Sequence, residues 1–316
     1  MSDKLSGVLN LDKPAGFTSQ QAVGKIKTML RVRRAGHAGT LDPQATGVLL
    51  VCLGRATKIT PFLMDTMKGY AARMVLGQET DTQDAWGKVV DTMPVPRLER
   101  SRVEEALQEF EGELEQIPPM YSALRFKGKR LHQLARKGLE VERMARRVHV
   151  SSLKLRELSL PVIGFEAVCS SGTYVRTLCH DIGKLLGCGA HLTALQRTSV
   201  GPFGIEESIT MDHLEKIAED GRVEETLVSM DDALSFLPAL TVREEYIERV
   251  LHGAPVCAGW TFDSNGHFAH GDMVRVKSPD SRLLAVGEAV LDSEKMTLHQ
   301  GDSHALKMKR VLITSE

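Results

Sequence analysis

The chain has few aromatic residues, few cysteines and no long hydrophobic run. Phe, Trp and Tyr make up 5% of its 316 residues, with only four tyrosines. The five cysteines are odd in number and form no CxxC pair, so we expect free thiols in a reducing compartment. The longest apolar run is too short to span a bilayer, and no apolar segment of the signal-peptide kind follows the first charges. These absences predict a cytoplasmic protein that is not in the membrane.

The chain also lacks an excess of charge of either sign. Its 40 basic and 41 acidic residues leave a net charge of -1, which gives no global attraction for nucleic acid. Any binding of a polyanion must therefore come from local segregation of charge. The sequence contains neither a dinucleotide-binding fingerprint nor a Walker A loop, and Cys179, Cys188 and His191 have no zinc-ligand spacing. We predict no cofactor and no metal.

The length and the order of the elements predict two domains of α+β class. A chain of 316 residues exceeds the size at which a single core usually stops growing. Strands occur at uneven spacing and do not alternate strictly with helices, which favours a mixed, largely antiparallel sheet over a doubly wound parallel one. A boundary near 237–239 would separate residues 1–238 from a small β-rich module, residues 239–316.

Hydrophobic periodicity and capping residues predict the individual elements. A helix begins at Thr18 or Ser19, another begins at a capping box of Ser101 and Glu104, and a third covers 173–186 and ends at Gly187. Strands are predicted at 8–11, 48–53, 70–76, 86–91, 148–160 and 164–170. In the C-terminal module we expect one helix at 244–251 and three strands at 273–277, 283–290 and 305–313.

The segment from Arg34 to Gly54, RAGHAGTLDPQATGVLLVCLG, contains the strongest functional signal. Its one carboxylate, Asp42, lies among glycines that allow sharp bends and close approach of a ligand, and an apolar strand follows. An isolated Asp-Pro is usually a turn, but here the carboxylate follows a cationic tract. Residues 13–41 contain no Asp or Glu and seven basic or histidine residues: Lys13, Lys25, Lys27, Arg31, Arg33, Arg34 and His37. This arrangement suits a nucleophilic carboxylate that acts on a polyanion.

A second concentration of positive charge lies between residues 125 and 147. Only Glu140 and Glu142 oppose its nine basic residues, which are Arg125, Lys127, Lys129, Arg130, Arg136, Lys137, Arg143, Arg146 and Arg147. A charge run is commonly just a solvated surface, but this one is strongly one-sided. It predicts contacts with phosphates, which would position RNA and make the affinity depend on salt.

Long motifs in matching order resemble those of the bacterial tRNA pseudouridine-55 synthases, the TruB family. They cover roughly the first two hundred residues: GVLNLDKPAGFTS, the Asp42 segment, KGY, GQETDTQDAWG, IPPMYSALRFKGKRLHQLARKG and SSGTYVRTLCHDIGKLLGCGAHLTALQRT. The resemblance implies the pseudouridine synthase fold, with a central mixed sheet flanked by helices and a PUA-like RNA-binding domain at the C-terminus. It also implies isomerisation of a flipped-out uridine at position 55 in the T loop of tRNA. We expect a monomer that needs no protein partner.

The resemblance assigns the catalytic roles residue by residue. Asp42 is the catalytic carboxylate, as nucleophile at ribose C1′ or as base at C2′, and the sequence does not choose between them. Arg176 pairs with Asp42, and Tyr70 stacks on the flipped uracil and provides a route for the C5 proton. Binding roles fall to Tyr174 at the uridine, Leu195 on the substrate lining, Lys13 in the motif supporting the loop, His37 at the vacated stack or its phosphates, and Arg125, Lys127, Lys129 and Arg130 on a basic insertion at about 121–148.

Four alternatives remain at this point. The protein could bind or fold RNA without catalysis, or it could be a guide-RNA-dependent relative, which the lack of long basic tails disfavours. An Asp-based glycosidase would need a second carboxylate as general acid, and the loop supplies none. The C-terminal module could be a structural β domain rather than a PUA domain.

Overall fold

The structure of the chain is a computed structural model, which describes residues 5–122, 124–135, 137–296, 301 and 303–313. The strands before residue 230 are β1 (Gly7–Lys13), β2 (Ala35–His37), β3 (Thr46–Leu53), β4 (Lys68–Leu76), β5 (Gln78–Thr80), β6 (Val89–Thr92), β7 (Gly112–Gln116), β8 (Arg125–Phe126), β9 (Lys129–Arg130), β10 (Arg146–Ser159), β11 (Val162–Cys169), β12 (Ala190–Val200), β13 (Phe203–Gly204), β14 (Ile209–Thr210) and β15 (Leu227–Val228). The later strands are β16 (Ala239–Val242), β17 (Val256–Cys257), β18 (Thr261–Asn265), β19 (Met273–Lys277), β20 (Leu283–Ala289) and β21 (His304–Val311).

The helices are α1 (Ser19–Met29), α2 (Thr60–Met64), α3 (Arg100–Gln108), α4 (Leu131–Ala135), α5 (Val175–Leu185), α6 (Met211–Glu219), α7 (Met230–Ala233), α8 (Ile247–Leu251) and α9 (Ser293–Met296). Short 3₁₀ turns cover Gly54–Ile59, Val223–Thr226, Glu244–Tyr246 and Ala258–Trp260. None of the helices in the described ranges has the length and apolar character needed to cross a membrane.

An eleven-stranded sheet forms the centre of the larger part of the molecule. Its main path runs β14-β1-β3-β12-β4-β11-β10-β7, with β2 added to β3, β13 to β12 and β15 to β1. The β3–β12 and β1–β14 pairs are parallel, whereas the other neighbours are antiparallel. The prediction of an α+β fold with a mixed, largely antiparallel sheet is therefore confirmed.

Strand β3 is buried on both faces, which explains its uninterrupted apolar sequence. Val48, Leu50 and Cys52 face one hydrophobic cluster, and alternate residues such as Leu49 and Val51 face the cluster that also contains α1. Every residue from 47 to 53 is buried. The loop before β3 is thus attached to one of the most rigid parts of the fold.

The helices agree with the capping signals in two cases and not in the third. Thr18 caps α1 in a capping box with Gln21, and Gly187, with φ +77°, follows the end of α5. The predicted capping box at Ser101 is wrong, because α3 already begins at Arg100 and its N-cap Glu99 makes no side-chain capping bond. Ser101 therefore lies inside the helix.

The strand predicted at 86–91 begins too early. Asp84 Oδ1 accepts a hydrogen bond of 3.1 Å from the backbone N–H of Trp86, so the turn continues through this residue. Strand β6 starts only at Val89 and pairs with β5.

The C-terminal part contains a second, six-stranded sheet in the order β17-β21-β20-β19-β16-β18. The three predicted strands correspond to β19, β20 and β21, whereas β16, β17 and β18 were not predicted. The expected single helix at 244–251 is divided, with a 3₁₀ turn at Glu244–Tyr246 before α8. This sheet and α8 enclose their own hydrophobic cluster, which includes Leu240, Val274 and Leu306.

Candidate active site

Asp42 lies in the loop that connects β2 to β3, and the loop is fixed on both sides of it. The hydroxyl of Ser19 at the start of α1 accepts from the N–H of Leu41 at 2.8 Å and donates to its carbonyl at 3.1 Å. On the other side, Asp12 Oδ1 accepts from the N–H of Gly47 at 3.1 Å. The carboxylate is thus presented by a backbone with little freedom to move.

Lys13 supports the same loop from within the protein. It is fully buried, and its ammonium donates to the carbonyls of Pro14 and Phe17 at 2.8 Å and of Pro43 at 3.1 Å. Burial lowers the pKa of Lys13 from 10.5 to about 8, and the charge of Asp42 partly offsets that fall. An ammonium has three donors, and all three are used here. Lys13 therefore holds the loop through these bonds, as expected of the motif that supports it, and its part in substrate binding stays a prediction.

Arg176 makes the decisive contact with Asp42. Its Nε lies 2.8 Å from Asp42 Oδ2, and its Nη2 donates to Asp42 Oδ1 at 3.1 Å. The Arg176 side chain is only 4% exposed, whereas that of Asp42 remains 39% exposed. One hydrogen bond and a second close nitrogen–oxygen approach hold the orientation of the carboxylate, while its outer face stays open to a ligand.

The guanidinium of Arg176 also connects two further segments to the carboxylate. Its Nη1 donates to the Thr82 carbonyl at 3.1 Å, and its Nη2 donates to the Tyr121 carbonyl at 2.9 Å. Asp84 Oδ2 lies 3.6 Å from Nη1. One buried side chain of α5 therefore assembles the Asp42 loop, the turn before β6 and the start of the insertion.

Tyr70 is a half-buried residue of β4, next to Arg197 of β12. The two residues are partners in the antiparallel register. Burial raises the pKa of the Tyr70 phenol, and the charge of Arg197 and its hydrogen bond to the phenol oppose that rise. The negative charge of Asp42 adds to the rise, which puts the phenol within electrostatic reach of the carboxylate.

Tyr174 stands at the N-cap of α5, two residues before Arg176. Its N–H donates to Gln116 Oε1 at 2.7 Å, and Gln116 Nε2 donates back to its carbonyl at 3.1 Å. Burial raises the pKa of Tyr174, and a hydrogen bond from Ser122 opposes the rise. Gln116 thus fixes the start of the helix that carries both residues.

His37 and Leu195 flank the loop in different ways. His37 lies in β2, half-buried; burial lowers its pKa and a backbone hydrogen bond at Gly39 partly offsets this, so the imidazole is mainly neutral at pH 7. Leu195, also half-buried, lines a groove of about 690 Å³ with Gln44 and Thr46 of the Asp42 segment. The exposed Trp86 lies along the same groove.

The basic insertion forms a small unit of its own. Strands β8 and β9 make a hairpin in which Lys127 and Lys129 are exposed, and Lys127 Nζ lies 5.4 Å from the centre of the Phe126 ring. A separate hydrophobic cluster around Met120, Leu131 and Leu134 supports it. The side chains of Arg125 and Arg130 lie outside the described part of the structure.

Comparison with known proteins identifies the family. Residues 27–175 match the model described as TruB family pseudouridylate synthase (N terminal domain), and residues 176–235 match the tRNA pseudouridylate synthase B C-terminal domain. The chain is 45% identical over 279 residues to tRNA pseudouridine synthase B of Syntrophotalea carbinolica, covering 88% of this chain and 90% of the relative. The chain belongs to the TruB family. It is an isomerase of the tRNA pseudouridine synthase class.

Further matches extend the TruB assignment to the C-terminal part and to the fold. The chain is 47% identical over 253 residues to tRNA pseudouridine synthase B of Geobacter sulfurreducens, covering 80% of this chain and 83% of the relative. Residues 238–312 match the PUA domain. The crystal structure of a Cbf5-Nop10-Gar1 complex matches with a TM-score of 0.80 and 30% identity over 98% of this chain and 85% of that one. The predicted pseudouridine synthase fold with a PUA domain is confirmed.

Several residues that build this TruB site were not identified from the sequence. Ser19, Asp12 and Arg197 hold the Asp42 segment, and Asp84 approaches Arg176. All four stand in the motifs that carry the resemblance, so motif membership was the available signal. Within the described ranges, no group of three or more His, Cys, Asp or Glu residues could hold a metal ion.

Proposed function

We propose that this protein isomerises the uridine at position 55, in the T loop of tRNA, to pseudouridine, with Asp42 as the catalytic carboxylate. The observation that carries the proposal is the ion pair between the partly exposed Asp42 and the buried Arg176. The guanidinium offsets the negative charge of the carboxylate beside RNA phosphates, and it leaves one face of Asp42 open to the ribose.

The reaction needs one group that acts at the ribose and no redox partner. The N1–C1′ bond breaks, a C5–C1′ bond forms, the C5 proton leaves and N1 gains a proton. A carboxylate can attack C1′, as in retaining glycoside cleavage, or remove a proton at C2′. Both routes place Asp42 at the sugar, and both proceed without a cofactor.

Access to the ribose requires that the uridine leave its stack. A base in a folded loop is extruded before chemistry, and an aromatic face receives it. Tyr70 supplies that face beside the carboxylate, Leu195 lines the adjoining groove, and Tyr174 contacts the uridine from the start of α5. His37, as a neutral ring, fills the vacated space and adds no charge at the phosphates.

The substrate is held by surfaces outside this centre. Residues 1–238 form the catalytic domain, and its insertion at about 121–148 grips the T arm through exposed lysines such as Lys127 and Lys129. Residues 239–316 form a PUA domain that adds RNA-binding surface. The protein acts in the cytoplasm, where its buried free thiols stay reduced, as a monomer with no protein partner.

Release of tritium from a T-arm stem-loop labelled at uridine C5 tests the chemistry, because isomerisation expels the C5 hydrogen. The wild type should release one tritium at the target uridine, and Asp42→Asn should release none while it still binds the stem-loop. Asp212→Asn, which changes an exposed carboxylate of α6, should match the wild type. Carbodiimide mapping should place the product at position 55. Product at another uridine would overturn the position, and a fully active Asp42→Asn would overturn the role of the carboxylate.

The same assay separates the alternatives. A protein that only binds RNA would release no tritium. A guide-RNA-dependent enzyme would act only after a guide and partner proteins are added. This alternative is tested because the chain is similar to a chain of a Cbf5-Nop10-Gar1 complex. Activity of the purified chain on naked stem-loop excludes both.

A further inference from the structure

Arg197 is a buried cation that the reaction described above does not use. It is 1% exposed, and within the described ranges it forms no ion pair with an Asp or Glu. Its Nε donates to the Val48 carbonyl at 2.7 Å, Nη2 to that of Gly39 at 3.2 Å and Nη1 to that of Thr40 at 3.5 Å. Burial of a charge without an opposite partner costs folding free energy, so a neutral side chain would serve a purely structural role at lower cost.

The position of Arg197 in the sheet places it between the two reactive groups. In β12 it is opposite Tyr70 of β4 on one side and opposite Gly47 of β3 on the other. Paired residues on neighbouring strands extend their side chains to the same face. The Arg197 side chain therefore extends to the same face of the sheet as the Tyr70 ring, and its charge opposes the rise in the pKa of the phenol. Its Nη1 and Nη2 donate to carbonyls of the segment that precedes Asp42.

The backbone of Arg197 is held as firmly as its side chain. Gly47, with φ +98°, packs against it so closely that a Cβ at Gly47 would lie 2.2 Å from the Arg197 carbonyl oxygen. The carbonyls of Gly39 and Thr40, two and three residues before Asp42, accept from the guanidinium. Arg197 is thus attached to both ends of the loop.

We propose that Arg197 is a positioning residue for the isomerisation, which holds the Tyr70 hydroxyl in a fixed place relative to the Asp42 loop. The inference rests on the proposed function for its catalytic consequence. A guanidinium has five N–H donors, and the three carbonyls leave donors for the phenol oxygen. The charge of the guanidinium also opposes the effect of burial on the phenol.

Arg197→Lys is the first test, because lysine keeps the charge and loses the planar fork. We expect the single-turnover rate to fall about tenfold and the Kd for the T-arm stem-loop to stay within about twofold, the pattern of an interaction that matters in the transition state. Arg222→Lys is the matched control, since Arg222 is exposed after α6, and its rate should equal that of the wild type. A folded Arg197→Lys with an unchanged rate would refute the proposal.

A second readout does not depend on activity. The chain has only four tyrosines, so each ¹³Cζ resonance of labelled protein can be assigned by a Tyr→Phe variant. Arg197→Lys should move the Tyr70 resonance and leave that of Tyr246 in the C-terminal sheet domain unchanged. Arg197→Gln, which donates N–H groups without burying a charge, serves if the lysine variant does not fold. A Tyr70 signal that stays in place overturns the inference, whereas a wild type inactive on the stem-loop overturns only the proposed function.

Discussion

Arg176 and Asp42 are 134 positions apart in the chain, yet Arg176 Nε lies 2.8 Å from Asp42 Oδ2. The same guanidinium donates to the carbonyls of Thr82 and Tyr121. The contact therefore does more than neutralise a carboxylate. It couples the position of the Asp42 carboxylate to the turn before β6 and to the first residues of the basic insertion.

Replacement of Arg176 should reduce catalysis in proportion to the donors lost. Arg176→Met should lower the single-turnover rate by at least about 100-fold and cost roughly 1–3 kcal/mol of stability for each carbonyl left unpaired. Arg176→Lys should lower the rate less, by about tenfold, because an ammonium cannot reproduce the two-point contact. Single-turnover kinetics and urea denaturation measure the two effects. Equal rates for the two variants would mean that the positive charge alone contributes nothing and that the planar geometry of the guanidinium accounts for the whole effect.

Asp84 should tune the orientation of Arg176 without contact to the substrate. Its Oδ2 lies 3.6 Å from Arg176 Nη1, and its side chain is 15% exposed. Asp84→Asn keeps the Oδ1 acceptor for Thr82 Oγ1 and the Trp86 N–H but removes the charge. We expect a fall in rate of about fivefold, equivalent to roughly 1 kcal/mol, with unchanged affinity for the stem-loop. Asp91→Asn, on the exposed β6 nearby, is the control. A change in affinity instead of rate would place Asp84 in substrate binding.

The elements predicted from the sequence are those whose signals are local. The apolar run of β3 is buried on both faces, and Thr18 caps α1 through bonds that span three residues. The C-terminal strands β16, β17 and β18 were missed because two to five residues carry little periodicity, and they are stabilised by pairing with distant strands. Local pattern also misplaced the start of α3, where Ser101 resembled a cap.

The same distinction between local and long-range signals applies to the residues of the candidate site. The motifs singled out Asp42, Tyr70 and Arg176, because each stands in a long segment with a recognisable family pattern. The function of Lys13 and Arg197 depends on which carbonyls surround them, and those carbonyls come from other segments. No spacing in one sequence indicates that a lysine in a turn motif is fully buried. That fact follows only from the packing of α1 and β1 around the loop.

The buried Lys13 should give the protein a distinct pH dependence of stability. Its pKa is about 8 in the folded state and 10.5 when exposed, so between these values the unfolded chain binds more protons at this residue. The free energy of unfolding contributed by Lys13 therefore rises as pH increases through that window and is constant below it. Urea denaturation of the wild type and Lys13→Met should show a difference that grows from about pH 8 to pH 10.

Subtraction of the two curves removes the other groups that titrate in this range. Lys68, whose pKa is also lowered to about 8, and Cys52, whose pKa is raised to about 11, are present in both proteins. Lys25→Met, at a side chain that is 42% exposed, is the control lysine variant. A flat difference for Lys13→Met would mean that the ammonium is not desolvated in solution.

Salt dependence should distinguish the residues that touch phosphates from those that touch bases. Lys129 is exposed on the β8–β9 hairpin, whereas burial lowers the pKa of His37 and leaves its ring mainly neutral at pH 7. If Lys129 neutralises one phosphate of the T arm, Lys129→Gln should reduce the slope of log Kd against log salt by about 0.7, the value for one contact to single-stranded nucleic acid. His37→Gln should weaken binding by the same amount at every salt concentration and leave the slope unchanged, because no counterion is released at a neutral ring.

Fluorescence anisotropy of a labelled stem-loop at five salt concentrations, at pH 7.5, measures both slopes. A reduced slope for His37→Gln would show that the histidine binds RNA as a cation and that the T-arm phosphates raise its pKa on binding. An unchanged slope for Lys129→Gln would mean that other basic residues of the insertion contact the phosphates, and Lys127→Gln is the next variant to test.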